Sequence, residues 1–442
     1  MSGSGLRIDG VHVRLPGQAA PVLSGVSLAL RPGEAVGVCG RSGSGKSTLL
    51  AAISGLVPWA RAAEVRGAVL LDGDDIGELD PGQRAHLLAT CLDRPDAQLF
   101  LGTPRQEIAA VQHLHGTAPL RDAPVDALRL RALLDARIGT LSSGERQRVA
   151  LAVALAAAPR PVLLDEPLAH LDADGAAALV SLLGEVKAIG GSILLAEQAG
   201  WRLGNVVDRW LELHEGALAP CPRPSPPVLS PPSGRTGEVV LEARDLTVER
   251  GEHALLRGVS LCVRAGEVVI LNGANGSGKS SLLRVLAGHD SVAGGGLRWS
   301  GALRRAPSTA LMLSVAELQL FAETVAGELT LSGADATTVS RVLQRHRLAP
   351  LAGRAPWTLS RGERQRLVHA ALDVLQPPLV LVDELAQGLD PTDLAAIAEL
   401  IGRRAARGRA YLIATHRDDL AGLAHRRLAI EGGTVIDRGV SP

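Results

Sequence analysis

Gly40-Arg41-Ser42-Gly43-Ser44-Gly45-Lys46-Ser47 and Gly273-Ala274-Asn275-Gly276-Ser277-Gly278-Lys279-Ser280 both read G-x-x-x-x-G-K-S. A short apolar run precedes each, Glu34 to Cys39 in one case and Glu267 to Leu271 in the other. The residues that follow, Ser47 to Ile53 and Ser280 to Leu286, read as helices that stop at Gly55 and Gly288. Strand, glycine loop and helix in that order aim backbone N–H groups at one point beside a helix N-terminus, where phosphate oxygens are held. Only three of the 46 basic residues are lysines, Lys46, Lys187 and Lys279, and two of them close these loops. Arginine serves as well on a wet surface, but its planar fork cannot replace a compact ammonium inside a ring of N–H groups. The pattern predicts an α/β chain built twice around a loop that wraps nucleotide phosphates.

The second half repeats the first. Leu141-Ser142-Ser143-Gly144-Glu145-Arg146-Gln147-Arg148 recurs 218 residues later as Leu359-Ser360-Arg361-Gly362-Glu363-Arg364-Gln365-Arg366. Val162-Leu163-Leu164-Asp165-Glu166 recurs at the same offset as Val380-Leu381-Val382-Asp383-Glu384. From loop lysine to Leu141 is 95 residues and from loop lysine to Leu359 is 80, so the second half is expected to lack about one helix and a loop there. The stretch Pro220 to Gly234 is too rich in proline for a helix or an inner strand. The chain is accordingly divided into a first domain 1–219, a linker 220–237 and a second domain 238–442. Extended at roughly 3.1 Å per residue, the linker reaches on the order of 50 Å and reads as a tether. Val162 to Leu164 and Val380 to Val382 read as strands buried on both faces of a parallel sheet.

With 46% hydrophobic and 21% charged residues the 442-residue composition is that of a folded chain of two or three domains. Acidic and basic residues balance at 46 each, which leaves no field to attract a polyanion and argues against nucleic acid as a partner. The longest apolar run, Val149 to Pro159, is far short of the ~20 residues that cross a bilayer. Met1 to Gly5 lacks the pattern of an export signal, and Cys39, Cys91, Cys221 and Cys262 show no metal or disulfide spacing, so a reducing cytosol is the expected compartment. Lys187 reads as a solvated helix residue.

The chemistry of these residue types is that of a nucleoside triphosphatase. Residues 40–46, through Gly40, Arg41, Ser42, Gly43, Ser44, Gly45 and Lys46, would cradle the phosphates, as would Gly273, Ala274, Asn275, Gly276, Ser277, Gly278 and Lys279. Ser47 and Ser280 would place a hydroxyl on Mg²⁺, with Thr48 and Ser281 next to them. Asp165 and Asp383, at the ends of buried strands, would hold the same ion through its water. Glu166 and Glu384 stand where a carboxylate polarises an attacking water, a role whose removal typically costs ~10²–10⁴ in rate.

The motif Leu-Ser-x-Gly-Glu at 141–145 and 359–363 resembles the signature of the ATP-binding cassette (ABC) family, and the resemblance covers nearly all of both halves. It implies two P-loop ATPase domains in tandem, each a mainly parallel sheet core with an antiparallel β subdomain and a helical subdomain. It also implies head-to-tail pairing, here as an intramolecular pseudo-heterodimer. Ser142, Gly144 and Glu145 would then close on the nucleotide at Lys279, and Ser360, Gly362 and Glu363 on that at Lys46. Asp172 and Asp390 match the loop that joins the two sites. The family's switch histidine matches His416, whereas the first half has Gln198 in the same register. The glutamine usual before Gln98-Leu99-Phe100 and Gln319-Leu320-Phe321 is replaced by Asp93 and Ser314, and Leu15 and Arg250 stand where an aromatic usually stacks on adenine.

Two departures, Gln198 and the bulky Arg361 of the second signature, fall in one composite site. Lys46, Glu166 and Gln198 would meet a signature bearing the bulky Arg361, while Lys279, Glu384 and His416 would meet one bearing Ser143. The expectation is efficient hydrolysis at the second site and slow turnover at the first. Arg94-Pro95-Asp96-Ala97-Gln98-Leu99-Phe100, followed by Thr103 and Glu107, resembles the energy-coupling factor and cobalt-uptake ATPases; Glu317 to Phe321, then Thr324 and Glu328, is a weaker copy. That resemblance implies an ATPase at the cytoplasmic face of the membrane. Its partners would be a transmembrane coupling subunit and a small-solute-binding membrane subunit for a vitamin or metal ion. The alternatives are the ATPase of another importer or exporter and a ribosome-associated twin cassette, the latter disfavoured by the short proline-rich linker and the neutral charge.

Overall fold

The computed structural model describes residues 5–439 apart from 18–19, 60–61, 93–97, 116–121, 159, 170, 251–252, 300–308, 314–315 and 386–388. At 143, 250, 253, 317 and 361 it describes the backbone alone. The chain divides into two compact units, Met1–Pro226 and Pro227–Pro442.

In the first unit, alternating apolar residues make β1 (Leu6–Arg14) and β2 (Leu23–Leu30) an antiparallel pair with one buried face. β3 (Ala35–Cys39) runs through the glycine loop into α1 (Lys46–Ile53), and the short α2 (Leu56–Trp59) leads to β4 (Glu64–Leu71) and β5 (Asp74–Asp75). These complete a four-stranded sheet in the order β2-β1-β4-β5. Next come α3 (Pro81–Ala85), β6 (Ala89–Cys91), α4 (Pro104–His115), α5 (Ala123–Ala127) and α6 (Ser143–Ala156). β7 (Val162–Asp165), α7 (Ala173–Ala188), β8 (Ile193–Ala196), β9 (Arg209–His214) and β10 (Ala217–Cys221) close the unit. The six-stranded sheet has the order β10-β9-β3-β8-β7-β6 and is parallel except for the edge strand β10.

The second unit repeats this plan. β11 (Val239–Arg250) and β12 (His253–Arg264) precede β13 (Val268–Asn272), the second glycine loop and α8 (Lys279–Leu286). β14 (Gly294–Trp299), β15 (Thr309–Met312), α9 (Val325–Leu331), α10 (Ala336–Arg345) and α11 (Arg361–Leu375) follow. Then come β16 (Leu379–Asp383), α12 (Pro391–Ala405), β17 (Ala410–Thr415), β18 (Arg426–Glu431) and β19 (Thr434–Gly439). The sheet order β15-β16-β17-β13-β18-β19 matches the first unit strand for strand. β7 and β16 are buried at every residue, as continuous apolar runs demand. The shorter second half is explained by elements with no counterpart among the described residues: α2, β5 and α3.

Two expectations need correction. Pro220 and Cys221 belong to β10 rather than to a tether; proline is tolerated because β10 lies at the sheet edge. Beyond it the chain is docked on each unit: Arg223 donates to Trp201 O, and Leu229 packs against the second unit's core. Lys187 is not a solvated residue, since its Nζ donates to Val206 O and to Asp208 Oδ1, both at 2.8 Å. Asp208 Oδ2 in turn accepts the N–H of Ala35 at the start of β3. Cys39 and Cys221, distant in sequence, bring their Sγ atoms to 3.5 Å as free thiols. Burial, then the neighbouring thiol, pushes the Cys39 pKa up to about 12.

Candidate active site

The two glycine loops have one geometry. Gly45 and Gly278 cap α1 and α8 at φ 107° and 98°, a left-handed conformation that favours glycine. A Cβ on Gly45 would meet Val22 Cγ1 at 2.8 Å, and one on Gly278 would meet Leu256 Cγ at 3.1 Å. Lys46 Nζ donates to Gly40 O at 2.7 Å and Arg41 O at 2.9 Å; Lys279 Nζ donates to Gly273 O and Ala274 O at 2.7 and 3.0 Å. Both ammoniums are thus held within their loops, over the first turn of the helix. Ser44 Oγ and Ser277 Oγ are buried without a hydrogen-bond partner, at the same place in each loop.

Behind each loop lies the carboxylate pair. Ser280 Oγ donates to Asp383 Oδ1 at 3.0 Å. Burial first, then the charge of Glu384, raises the Asp383 carboxyl above its ordinary range, against the Ser280 bond. Ser47 and Asp165 hold the matching places in the first unit. These hard oxygen donors suit Mg²⁺, which takes one or two protein oxygens and completes its shell with phosphate and water.

Glu166 and Glu384 share a feature that sequence reading missed. Both have positive φ, 46° and 59°, although neither is glycine. Such residues are uncommon and gather at functional sites. Their backbone N–H groups donate to Ala196 O and Ala414 O, so the turn after the buried strand is pinned to the neighbouring strand. The side chains then diverge. His416 Nδ1 lies 2.9 Å from Glu384 Oε1, and Thr415 Oγ1 donates to Oε2 at 3.1 Å. Burial would raise the Glu384 pKa, but the His416 bond and charge, with Lys279 and Thr415, outweigh it and hold the carboxyl below its ordinary value. In the first unit Gln198 Nε2 donates to Glu166 Oε1 at 2.9 Å. The residue before it, Glu197, is buried and accepts three backbone N–H bonds, from Leu168 at 3.1 Å and from Gln198 and Ala199 at 2.9 Å. Nothing in the motif spacing marked Glu197.

The Leu-Ser-x-Gly-Glu motif proves to be a capping box. Ser142 and Ser360 cap α6 and α11, accepting the N–H of Glu145 and Glu363, whose carboxylates reach back to the serine N–H at 2.8 Å. Gly144 and Gly362 follow in the first turn. Asp172 and Asp390 are likewise N-caps, of α7 and α12. The signature side chains at 143 and 361, the loop residues 93 and 314, and the side chain of Arg250 lie outside what is described. Leu15 is buried in the core, so its side chain does not present itself for base stacking.

The Gln-Leu-Phe stretches also acquire a physical meaning. Gln98 spans Leu92 N and O at 3.1 Å each, and Gln319 bonds Leu313 N and Leu311 O. Glu107 accepts the N–H groups of Phe100 and Leu101, and Glu328 those of Phe321 and Ala322. The locked turns project Phe100 and Phe321 into solvent, 82% and 80% exposed.

The doubled loop, capping box and strand-end carboxylates agree with a family model described as ABC transporter, which matches residues 23–169 and 256–387. The chain belongs to the ABC transporter family. It is therefore an ABC ATPase with two cassettes in one polypeptide. It is 31% identical to a provisionally named ABC transporter ATP-binding protein of Streptomyces avermitilis, over 98% of this chain and 93% of that one. An HMP/thiamine import ATP-binding protein of Bacillus subtilis, also provisionally named, is 29% identical over 90% of this chain and 85% of its own. Among solved structures, RNase-L Inhibitor aligns over 97% of this chain and 90% of its own with TM-score 0.69 and 21% identity, a likeness of fold. No described helix is long and apolar enough to cross a membrane.

Proposed function

We propose that this ABC ATPase drives import of a small solute, a vitamin or a metal ion, through separate membrane subunits. The observation that carries this is the pair of locked turns presenting Phe100 and Phe321. Gln98 with Glu107, and Gln319 with Glu328, hold an aromatic ring in water on each cassette, with Leu101 and Leu318 exposed beside them. On each cassette the exposed ring and its neighbouring leucine form a small apolar patch on a turn that holds it in place, and a membrane subunit's cytoplasmic helix supplies an apolar surface to cover it. The Bacillus subtilis relative, named for HMP/thiamine import, points the same way.

In this reading the cassettes pair head to tail, each signature serving the other's phosphate loop. Mg²⁺, bound with ATP by Ser280 and Asp383 or by Ser47 and Asp165, would neutralise charge on the β and γ phosphates. Glu384, anionic and steadied by Thr415 and His416, accepts a proton from the attacking water, and His416 keeps the carboxylate oriented. Glu166 is tied instead to the amide of Gln198, which stands in the register of His416, and in this reading the first site holds ATP and turns over slowly.

Purification of the complex from native cells in mild detergent tests the transport reading. The parent protein is expected to bring down a multispanning membrane protein, and a Phe100→Ser, Phe321→Ser double variant to lose it while keeping its fold. Absence of any membrane protein with the parent overturns the reading. Cosedimentation of the parent with ribosomes would instead favour the soluble alternative, which at present has only a shared fold behind it.

A further inference from the structure

The interior that joins α11 to α12 is charged in the second unit and apolar in the first. Asp373, on α11, has a side chain only 1% exposed; its Oδ2 lies 2.9 Å from His346 Nε2 and pairs with Arg404 in the last turn of α12. Arg345 and Arg409 approach the same carboxylate at 3.6 and 3.9 Å. His369, one turn earlier on α11, and Tyr411 of β17 are buried against this group. Two turns toward the N-terminus of α11, Arg366 pairs with Asp393 in the first turn of α12. The Asp393 N–H is itself held by Asp390 Oδ1 at 2.7 Å.

The 218-residue register assigns each of these a counterpart. His346, His369, Asp373, Arg404 and Tyr411 correspond to Leu128, Leu151, Leu155, Val186 and Ile193, all at most 1% exposed and all in one continuous apolar cluster. Arg409 corresponds to Gly191. Arg366 and Asp393 correspond to Arg148 and Gly175, and Arg148 turns to Leu128 O at 3.1 Å instead. The second unit's interior is accordingly split. Val368 and Leu372 of α11 join one apolar cluster with α12 and the sheet; Leu367 and Ala370 join another with α9 and α10.

We infer that Asp373 and Asp393 are positioning residues for ATP hydrolysis: their two buried ion pairs lock α11, which begins at the signature, to α12, which begins at Asp390, as one body. Ion pairs are directional, and a slide of one helix along the other leaves a buried charge without its partner, among the costliest changes an interior can suffer. Apolar contact is non-directional, so α6 and α7 are held by the shape of their packing alone, and a small shift of one against the other costs less than it does in the second unit. The signature and the Asp390 loop therefore move together in the second cassette and separately in the first. The coupling of the helices stands on its own; only its effect on turnover rests on the head-to-tail reading.

The test uses the full-length protein and a variant carrying the first unit's residues, His346→Leu, His369→Leu, Asp373→Leu, Arg404→Val and Arg409→Gly. Since Leu128, Leu151, Leu155 and Val186 already pack this interface, the variant is expected to fold with an unchanged circular dichroism spectrum. Hydrogen exchange followed by mass spectrometry over a urea series should show α11 and α12 of the parent opening at one urea concentration, and α6 and α7 at two. In the variant α11 should exchange about tenfold faster than α12, and ATP turnover should fall about tenfold with KM for ATP within twofold. A folded variant with parental turnover and matched exchange overturns the inference, as does independent opening of α11 and α12 in the parent. Asp373→Asn, which keeps shape and removes charge, decides the matter if the combined variant fails to fold: matched exchange of α11 and α12 in it overturns the inference. If the parent hydrolyses no ATP the proposed function fails, while the exchange comparison still decides this inference.

Discussion

The two cassettes place the same glutamate on the same strained turn and then surround it differently. In the second, Glu384 is held by a histidine ring and a threonine hydroxyl; in the first, Glu166 is held by an amide whose backbone is fastened by the buried carboxylate of Glu197. The second carboxylate thus faces an imidazole and a hydroxyl, the first an amide that carries no ionisable proton. The same division runs through the interiors, charged and registered around Asp373 in one cassette, continuous and apolar around Leu155 in the other. A duplicated fold tolerates both solutions because the sheet and its loops, common to both, do most of the positioning.

The sharpest way to break the comparison is to neutralise each glutamate in turn. Glu384→Gln is expected to lower steady-state ATP turnover by about 10²–10⁴ and Glu166→Gln by about twofold at most. Equal losses in an ATPase assay would make the sites equivalent. Gln198→His should then raise the residual turnover of the Glu384→Gln protein, by giving Glu166 the partner that Glu384 has.

Smaller effects sharpen the structural side. Glu197→Ala strips three buried N–H groups of their acceptor, and a loss of about 1–3 kcal/mol is expected in urea unfolding of the first unit. The matching Thr415→Ala should cost about 1 kcal/mol in the second, since Thr415 serves one carboxylate and one N–H.

Acid should separate the units as well. Burial, then the charge of His346, lowers the His369 pKa from 6.5 to about 3, so the unfolded chain takes up this proton at a higher pH than the folded one. Stability is whole above 6.5 and is lost as pH falls toward 3, on the order of 2 kcal/mol by pH 5. For Asp373, burial is outweighed by the His346 bond and the Arg404 charge, so its lowered pKa adds a loss only below the ordinary carboxylate range. Thermal melts from pH 7 to pH 5 should show the second unit weakening more than the first, and His369→Leu should remove most of the difference. The smallest expected effect is one of equality: Ser142→Ala and Ser360→Ala should each cost about 1 kcal/mol, because the two capping boxes are the same.

Much of this was legible in the residues. The glycine loops, the strand-end carboxylates and the fixed 218-residue register are local patterns, and the helices and strands around them fall where periodicity puts them. Glu197, the Cys39–Cys221 approach, the Lys187–Asp208 pair and the Asp373 cluster were not legible. Each joins residues from separate elements, and nothing in the neighbouring sequence says which buried group another element will face. The signature was read for its resemblance, and only its hydrogen bonds show that Ser142 with Glu145, and Ser360 with Glu363, cap a helix.

By itself the sequence determined that two phosphate loops would form and that the second half would repeat the first, because glycine placement, helix periodicity and fixed spacing act within a few residues. Only the tertiary structure decided how each strand-end glutamate is held and that one interior is ionic where its twin is apolar. Burial and partnership are properties of the packed chain, and they set the charge and orientation of those carboxylates.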